Sequence, residues 1–309
     1  MPTRSLVTAL AIPLAAWVAI AAGLAGCSAT ASGDDGTGTG TVSVVASTNV
    51  YGDIAKSIAG DAVKVTSIMN DPAQDPHSFE VSAQNQLAVS KADVVIENGG
   101  GYDDLMDSML RSTKNTRAQV LNVVQFSGRK APKGGDLNEH VWYDFPTIAR
   151  FTDRLVTALK KADPSAAAAF TRNGDAFLAQ VTTLQDREAQ LAATYSGRGV
   201  LVTEPVPLYL LEAIGLQNRT PRAFSTAIEN GTDVSPVVLQ QVLDLARSGR
   251  LALLGYNEQT TGPQTERVLA AARSGGLPVV PFTETLPAGL HYLGWMRSNL
   301  DAVAKALAA

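Results

Sequence analysis

The chain has 309 residues and a net charge of −4, with 45% hydrophobic and 17% charged residues, one Cys and three His. That length suffices for two domains of ordinary size, and the apolar content is too high for a disordered chain. The mild acidic excess leaves no footprint for nucleic acid, and a single Cys excludes an internal disulfide, a thiolate zinc site and an iron–sulfur cluster. A metal site here must be built from His and carboxylates.

In chain order, Arg4 supplies a positive start and an uncharged, mostly apolar run follows from Leu6 to Gly26. It ends in Leu24-Ala25-Gly26-Cys27. This looks like a bacterial lipoprotein signal over residues 1–26, cleaved before Cys27, with lipid attached to its sulfur. The competing reading is an uncleaved membrane helix, since about 20 apolar residues can span a bilayer. Pro13 and several Gly make a poor permanent span. Residues 27–41 are small, polar and Gly-rich, so a flexible tether is expected there. These features place the protein at the outer face of the cytoplasmic membrane.

From residue 42 strand-like and helix-like segments alternate. Strands are expected over 42–46, 62–68, 93–96 and 119–123, with helices over 51–58, 81–90 and 102–111. A turn-rich stretch over 70–77 holds two Asp-Pro pairs, and a Gly/Lys-rich loop over 126–138 precedes a helix over 145–161. Strands separated by helices imply βαβ units and parallel sheet. Asp163 and Pro164 then start a new helix, as N-cap and first helical residue. It runs from 165 to 195. About 30 helical residues would span roughly 45 Å, more than one small lobe needs. A connector between two lobes is expected, the alternative being a break at Gly174. The alternation resumes with strands over 200–203, 251–255 and 277–282 and helices over 208–214, 235–247, 263–274 and 292–308.

The expected fold class is therefore α/β. Two lobes with parallel-type sheets, over 42–163 and 198–309, are joined by one long helix over 164–197. Ligands in such sheets sit beyond the carboxyl ends of the strands. That rule picks out His77, His140, Glu204 and Glu284, each at a strand or helix end. Taken singly, a loop His is usually solvated, and a Glu before a helix usually complements the helix dipole. His291 reads as a surface or helix-start residue. Asn98-Gly99-Gly100-Gly101 reads as a tight strand-to-helix turn rather than an anion cradle. Trp142, Tyr143 and Trp295 read as packing residues near the cleft. The Asn-x-Thr triplets at Asn218 and Asn230 match glycosylation sequons that a bacterial lipoprotein would not use in the ordinary way.

Two boxes carry a specific resemblance: Asp75-Pro76-His77-Ser78-Phe79-Glu80 and His140-Val141-Trp142-Tyr143-Asp144. Together with 44–68, 92–99, Val202-Thr203-Glu204, Phe282-Thr283-Glu284 and 295–300, they resemble the bacterial zinc/manganese-binding solute-binding lipoproteins of metal ABC importers. The resemblance covers essentially the whole chain after the tether. It implies two α/β lobes joined by a stiff helix, with one divalent transition metal ion held between them for uptake. It also implies a membrane permease and its ATPase as partners, and a monomer. Carried over by position, His77 and His140 match the histidine ligands of the first lobe, and Glu204 matches a third ligand. Glu284 stands where the family commonly has Asp, one methylene shorter. The loop before His140 has none of the extra histidines common in the zinc-specialised branch.

Two imidazoles and two carboxylates balance a divalent charge, and the oxygens tilt such a set toward Mn²⁺, with Zn²⁺ close behind. The competing functions are a metal-dependent hydrolase on the same residues and a surface adhesin of the same fold. Four protein ligands leave little room for a catalytic water, and no nucleophile elbow or His-Glu-x-x-His helix appears in the sequence.

Overall fold

Short β-branched runs set up two sheets. The computed structural model describes residues 41–71, 79–133 and 135–309. The expected signal peptide, Cys27, all of the tether but Thr41, and His77 lie outside the described residues. Residues 41–309 form one compact unit.

The first sheet is built from β1 (Val42–Thr48), β2 (Val63–Met69), β3 (Val94–Glu97) and β4 (Gln119–Asn122). Its strand order is β2-β1-β3-β4, and every pairing is parallel. The second sheet, from β5 (Gly199–Val202), β6 (Gln217–Asn218), β7 (Leu251–Asn257) and β8 (Val279–Phe282), repeats that order as β6-β5-β7-β8. It too is parallel throughout. The two halves thus share a topology that their sequences do not reveal as a repeat.

Helices α1 (Asn49–Ala59), α2 (Ala83–Lys91), α3 (Asp104–Thr113), α4 (Val123–Ser127) and α5 (Phe145–Ala162) accompany the first sheet. The second has α7 (Leu208–Ala213), α8 (Arg222–Glu229), α9 (Pro236–Arg247), α10 (Pro263–Ser274) and α11 (Tyr292–Leu307). Helix starts follow local chemistry. Ser235 accepts a hydrogen bond from the Val238 amide and is followed by Pro236, and Ser82 with Asn85 forms a capping box.

Between the sheets runs α6 (Ala167–Tyr195), 29 residues without a break. Asp163 caps it through a 3₁₀ turn, Pro164–Ala166, accepting from the amides of Ser165 and Ala166. Gly174 does not end the helix. A Cβ there would stand 2.5 Å from Val156 Cγ2, so the missing side chain is what lets α6 lie close against α5. Phe170, Phe177, Val181, Leu184 and Leu191 are buried along its length. The principal core cluster runs through both halves, from Val44 and Tyr51 through α5 and α6 to Val202, Trp295 and Leu300.

The Asn98–Gly101 segment is the tight turn expected. Gly99, Gly100 and Gly101 all have positive φ, a conformation that costs glycine little. At Gly99 a Cβ would also collide with the Asn122 side chain at 2.4 Å. Asp103 closes the turn by accepting from the amides of Asn98 and Gly99 at 2.6 and 2.7 Å.

Candidate metal centre

The carboxyl ends of the strands supply the site, as the parallel topology requires. Glu204 follows β5, Asn257 ends β7 and Glu284 follows β8. From the first half comes His140, in the loop after α4, just before a 3₁₀ turn, Val141–Tyr143. His140, Glu204 and Glu284 are only 1%, 3% and 1% exposed, so whatever they bind is taken almost wholly out of bulk water.

Asn138 fixes the orientation of His140. Its Nδ2 donates to the Pro205 carbonyl at 3.0 Å, and its Oδ1 accepts from the His140 amide at 3.1 Å. Those two contacts identify the oxygen end of the amide. The same Oδ1 lies 2.7 Å from His140 Nδ1, so Nδ1 carries the proton and donates. In the neutral ring Nε2 is then left with the lone pair, the arrangement a metal-ligating imidazole needs. Nε2 is buried without a hydrogen-bond partner among the described residues and lies 3.9 Å from Glu284 Oε2.

The two glutamates are gathered by Asn257, which donates from Nδ2 to Glu204 Oε2 at 2.6 Å and to Glu284 Oε1 at 2.8 Å. Gln259 holds the loop behind them, its Oε1 accepting from the amides of Glu284 and Thr285 at 2.5 and 3.1 Å. Burial, with the Glu284 charge adding to it, pushes the pKa of Glu204 up to about 7 despite the hydrogen bond from Asn257. At His140 burial favours the neutral ring. The Glu284 carboxylate, 3.9 Å from Nε2, and the charges of Glu139 and Glu229 oppose it and win, so the pKa rises above the ordinary imidazole value. Both shifts describe a pocket with surplus negative charge, which a proton or a cation can neutralise.

Of the four residues expected to form the site, the structure brings three to one buried place: His140, Glu204 and Glu284. His77 falls on undescribed residues. A further grouping was not foreseen. One ring nitrogen of His140 and one carboxylate oxygen from each of Glu139 and Glu229 lie within 4.8 Å of one another. Asn138, Asn257 and Glu229 were likewise missed. Asn257 stands at a strand's carboxyl end and could have been found by the same rule as Glu204. Phe224 and Ile228, four residues apart, gave a weak sign of the short helix that carries Glu229.

His291 is the N-cap of α11, far from solvent shielding at 84% exposed, with Nδ1 2.6 Å from Asp53 Oδ1. It is the helix-start residue expected. Trp142, Tyr143 and Trp295 form a buried aromatic chain with Tyr102: Tyr102–Trp142 at 4.9 Å, Trp142–Tyr143 at 6.4 Å and Tyr143–Trp295 at 5.5 Å between centroids. The His140 ring packs 5.1 Å from Trp142. No helix among the described residues is long and apolar enough to cross a membrane.

Fold and site together define a two-lobed α/β binding protein with a buried, carboxylate-rich cleft. The family model described as "Zinc-uptake complex component A periplasmic" matches residues 44–306, and the chain belongs to that family. It is 23% identical over 304 residues to a manganese ABC transporter substrate-binding lipoprotein of Streptococcus gordonii, covering 93% of this chain and 95% of that one. An iron-binding protein of Yersinia pestis is 21% identical over 270 residues, 85% of each chain. Among solved structures, the periplasmic zinc-binding protein TroA of Treponema pallidum superposes with a TM-score of 0.73. It is 21% identical, and the match covers 87% of this chain and 99% of that one.

Proposed function

We propose that this protein is the extracytoplasmic substrate-binding component of an ABC importer, capturing one divalent transition metal ion in the cleft. His140, Glu204 and Glu284 serve as ligands, with His77 as the fourth. The observation that carries this reading is the His140 geometry: Nδ1 donates to Asn138 and the buried Nε2 faces Glu284 at 3.9 Å. Membership of the zinc-uptake family and relatives named for manganese and iron support a transition metal as cargo. The oxygen-rich ligand set favours Mn²⁺, with Zn²⁺ the close competitor, because the intrinsic order of affinities always helps zinc.

The ion would neutralise the surplus charge of the cleft and tie the two halves together, and the metal-bound form would be what the permease and its ATPase receive. The protein works in this reading as a ligand carrier held outside the cytoplasmic membrane by lipid on Cys27, not as an enzyme. The test is uptake by chelator-stripped protein, with bound metal counted by mass spectrometry. One Mn²⁺ or Zn²⁺ per chain is expected for the native protein, with tight binding lost in Glu284→Gln and His77→Ala. Native protein that takes up no divalent metal would overturn the reading.

A further inference from the structure

We propose that Glu139 and Glu229 form an outer cation station at the mouth of the cleft. There an incoming divalent ion first binds with His140, before it moves inward to Glu284 and Glu204. This deepens the metal-capture reading and rests on it.

Three observations carry the inference. First, Glu139, Glu229 and a ring nitrogen of His140 have ligand atoms within 4.8 Å of one another, a spacing that one cation with ligand bonds of a little over 2 Å can bridge after small side-chain movements. Second, the group includes a histidine that is only 1% exposed and whose Nε2 has no hydrogen-bond partner among the described residues, so it contains a buried imidazole and is not simply an acidic patch. Third, the outer and inner carboxylates differ in access. Glu139 and Glu229 are half-buried and line a solvent-open cavity of about 420 Å³ with Gly100, Gly101, Leu137 and Thr226. Glu204 and Glu284 are 3% and 1% exposed.

A hydrated divalent ion cannot reach the inner pair without shedding most of its water. Carboxylate oxygens at the mouth can replace those waters a few at a time, while two negative charges raise the local cation concentration and speed encounter. His140 is common to both groups. The ion can therefore keep its imidazole ligand and exchange Glu139 and Glu229 for Glu284 and Glu204, so that it is never held by water alone inside the cleft. Glu139 belongs to the loop after α4 and Glu229 is the last residue of α8, so the station is shared between the two halves, like the final site.

The experiment is stopped-flow binding of Mn²⁺ to stripped full-length protein. The reporter is the fluorescence of Trp142, whose ring lies 5.1 Å from that of His140. Native protein is compared with Glu139→Gln/Glu229→Gln, which keeps side-chain volume and removes both charges. The expected result is an association rate constant lower by about tenfold or more at low salt. The difference should shrink as ionic strength rises, and the dissociation rate constant should change little. An unchanged association rate overturns the station. So does a loss of affinity carried by faster dissociation, which would make the two glutamates resident ligands. If the double variant does not fold, the single variants are compared, and each is expected to show part of the slowing. Mn²⁺ uptake at equilibrium separates the two readings. Native protein without uptake sinks the proposed function, whereas normal uptake at an unaltered association rate sinks the outer station alone.

Discussion

Asn138 does at the scale of one residue what the sequence could not announce. It leaves Nε2 of His140 as the free nitrogen, by accepting from Nδ1 at 2.7 Å while its own amide is pinned to the Pro205 carbonyl at 3.0 Å. Partners of this kind set the tautomer and orientation of a ligating imidazole, and losing one typically costs about 10- to 100-fold in metal affinity. Asn138→Ala is therefore expected to weaken Mn²⁺ and Zn²⁺ binding by that order in a chelator-competition assay, while the thermal midpoint of the stripped protein moves only slightly. Unaltered affinity would show that the ring is held by its packing against Trp142 and Tyr102 alone. Glu204 and Glu284 were legible as candidates because they are ligand-type residues just after strands, and His140 because it opens a recognisable box ahead of a helix. Asn138 and Asn257 were not, since an Asn in a loop or at a strand end has many structural uses. Only the three-dimensional hydrogen-bond pattern distinguishes them.

At the scale of elements, the alternation of strands and helices was legible through most of both halves. Strands with β-branched runs and helices with Pro at their first turn carry local signals, and α10 begins and ends where the sequence puts it. α4, β6 and α8 were not legible: the five residues of α4 (Val123–Ser127) fall where a strand end and a loop were expected. A two-residue strand has no periodicity, and the helix after Pro221 is two turns long. The long helix was readable except for its continuity through Gly174, which depends on a contact with Val156 in a different helix. That helix also contains Glu188, 5% exposed, with Oε1 lacking a hydrogen-bond partner among the described residues. Burial, with a contribution from the Asp144 charge, pushes its pKa up to about 8. The folded state thus holds a proton that the unfolded chain releases near the ordinary carboxylate value. This stabilisation is complete below about pH 4.5 and is lost as pH rises through about 8. Glu188→Gln should match native stability near pH 5 and exceed it by on the order of a few kcal/mol at pH 9. Thermal melts of both proteins across that range test this, because slopes from other groups cancel in the difference. A difference that does not grow with pH would mean Glu188 finds a compensating partner.

For the whole molecule, the question is how far the two halves can move when an ion arrives. The topology suggests two lobes around a cleft, but the packing joins them. One core cluster passes from the first sheet through α5 and α6 into the second sheet and α11. Direct ties reinforce it. Asn49 exchanges two hydrogen bonds of 2.9 Å with the backbone of Leu286. The hydroxyls of Tyr143 and Tyr292 donate to the carbonyls of Thr283 and Trp142, each at 2.8 Å. Asp53 accepts from the Tyr292 amide at 2.8 Å. A hinge closure of the kind seen in two-domain binding proteins bends at a few connecting residues, and here it would have to break this shared core. Metal binding should therefore act mainly by filling the cleft and neutralising its charge. Saturating Mn²⁺ is expected to raise the thermal midpoint, the stabilisation growing with the logarithm of free metal to about 4 kcal/mol at a thousandfold excess over Kd. The radius of gyration measured by solution scattering should stay constant within error. A clear contraction on adding metal, together with loss of protection at the Asn49–Leu286 contact in hydrogen exchange, would show that the halves swing and that the continuous core is not what limits them.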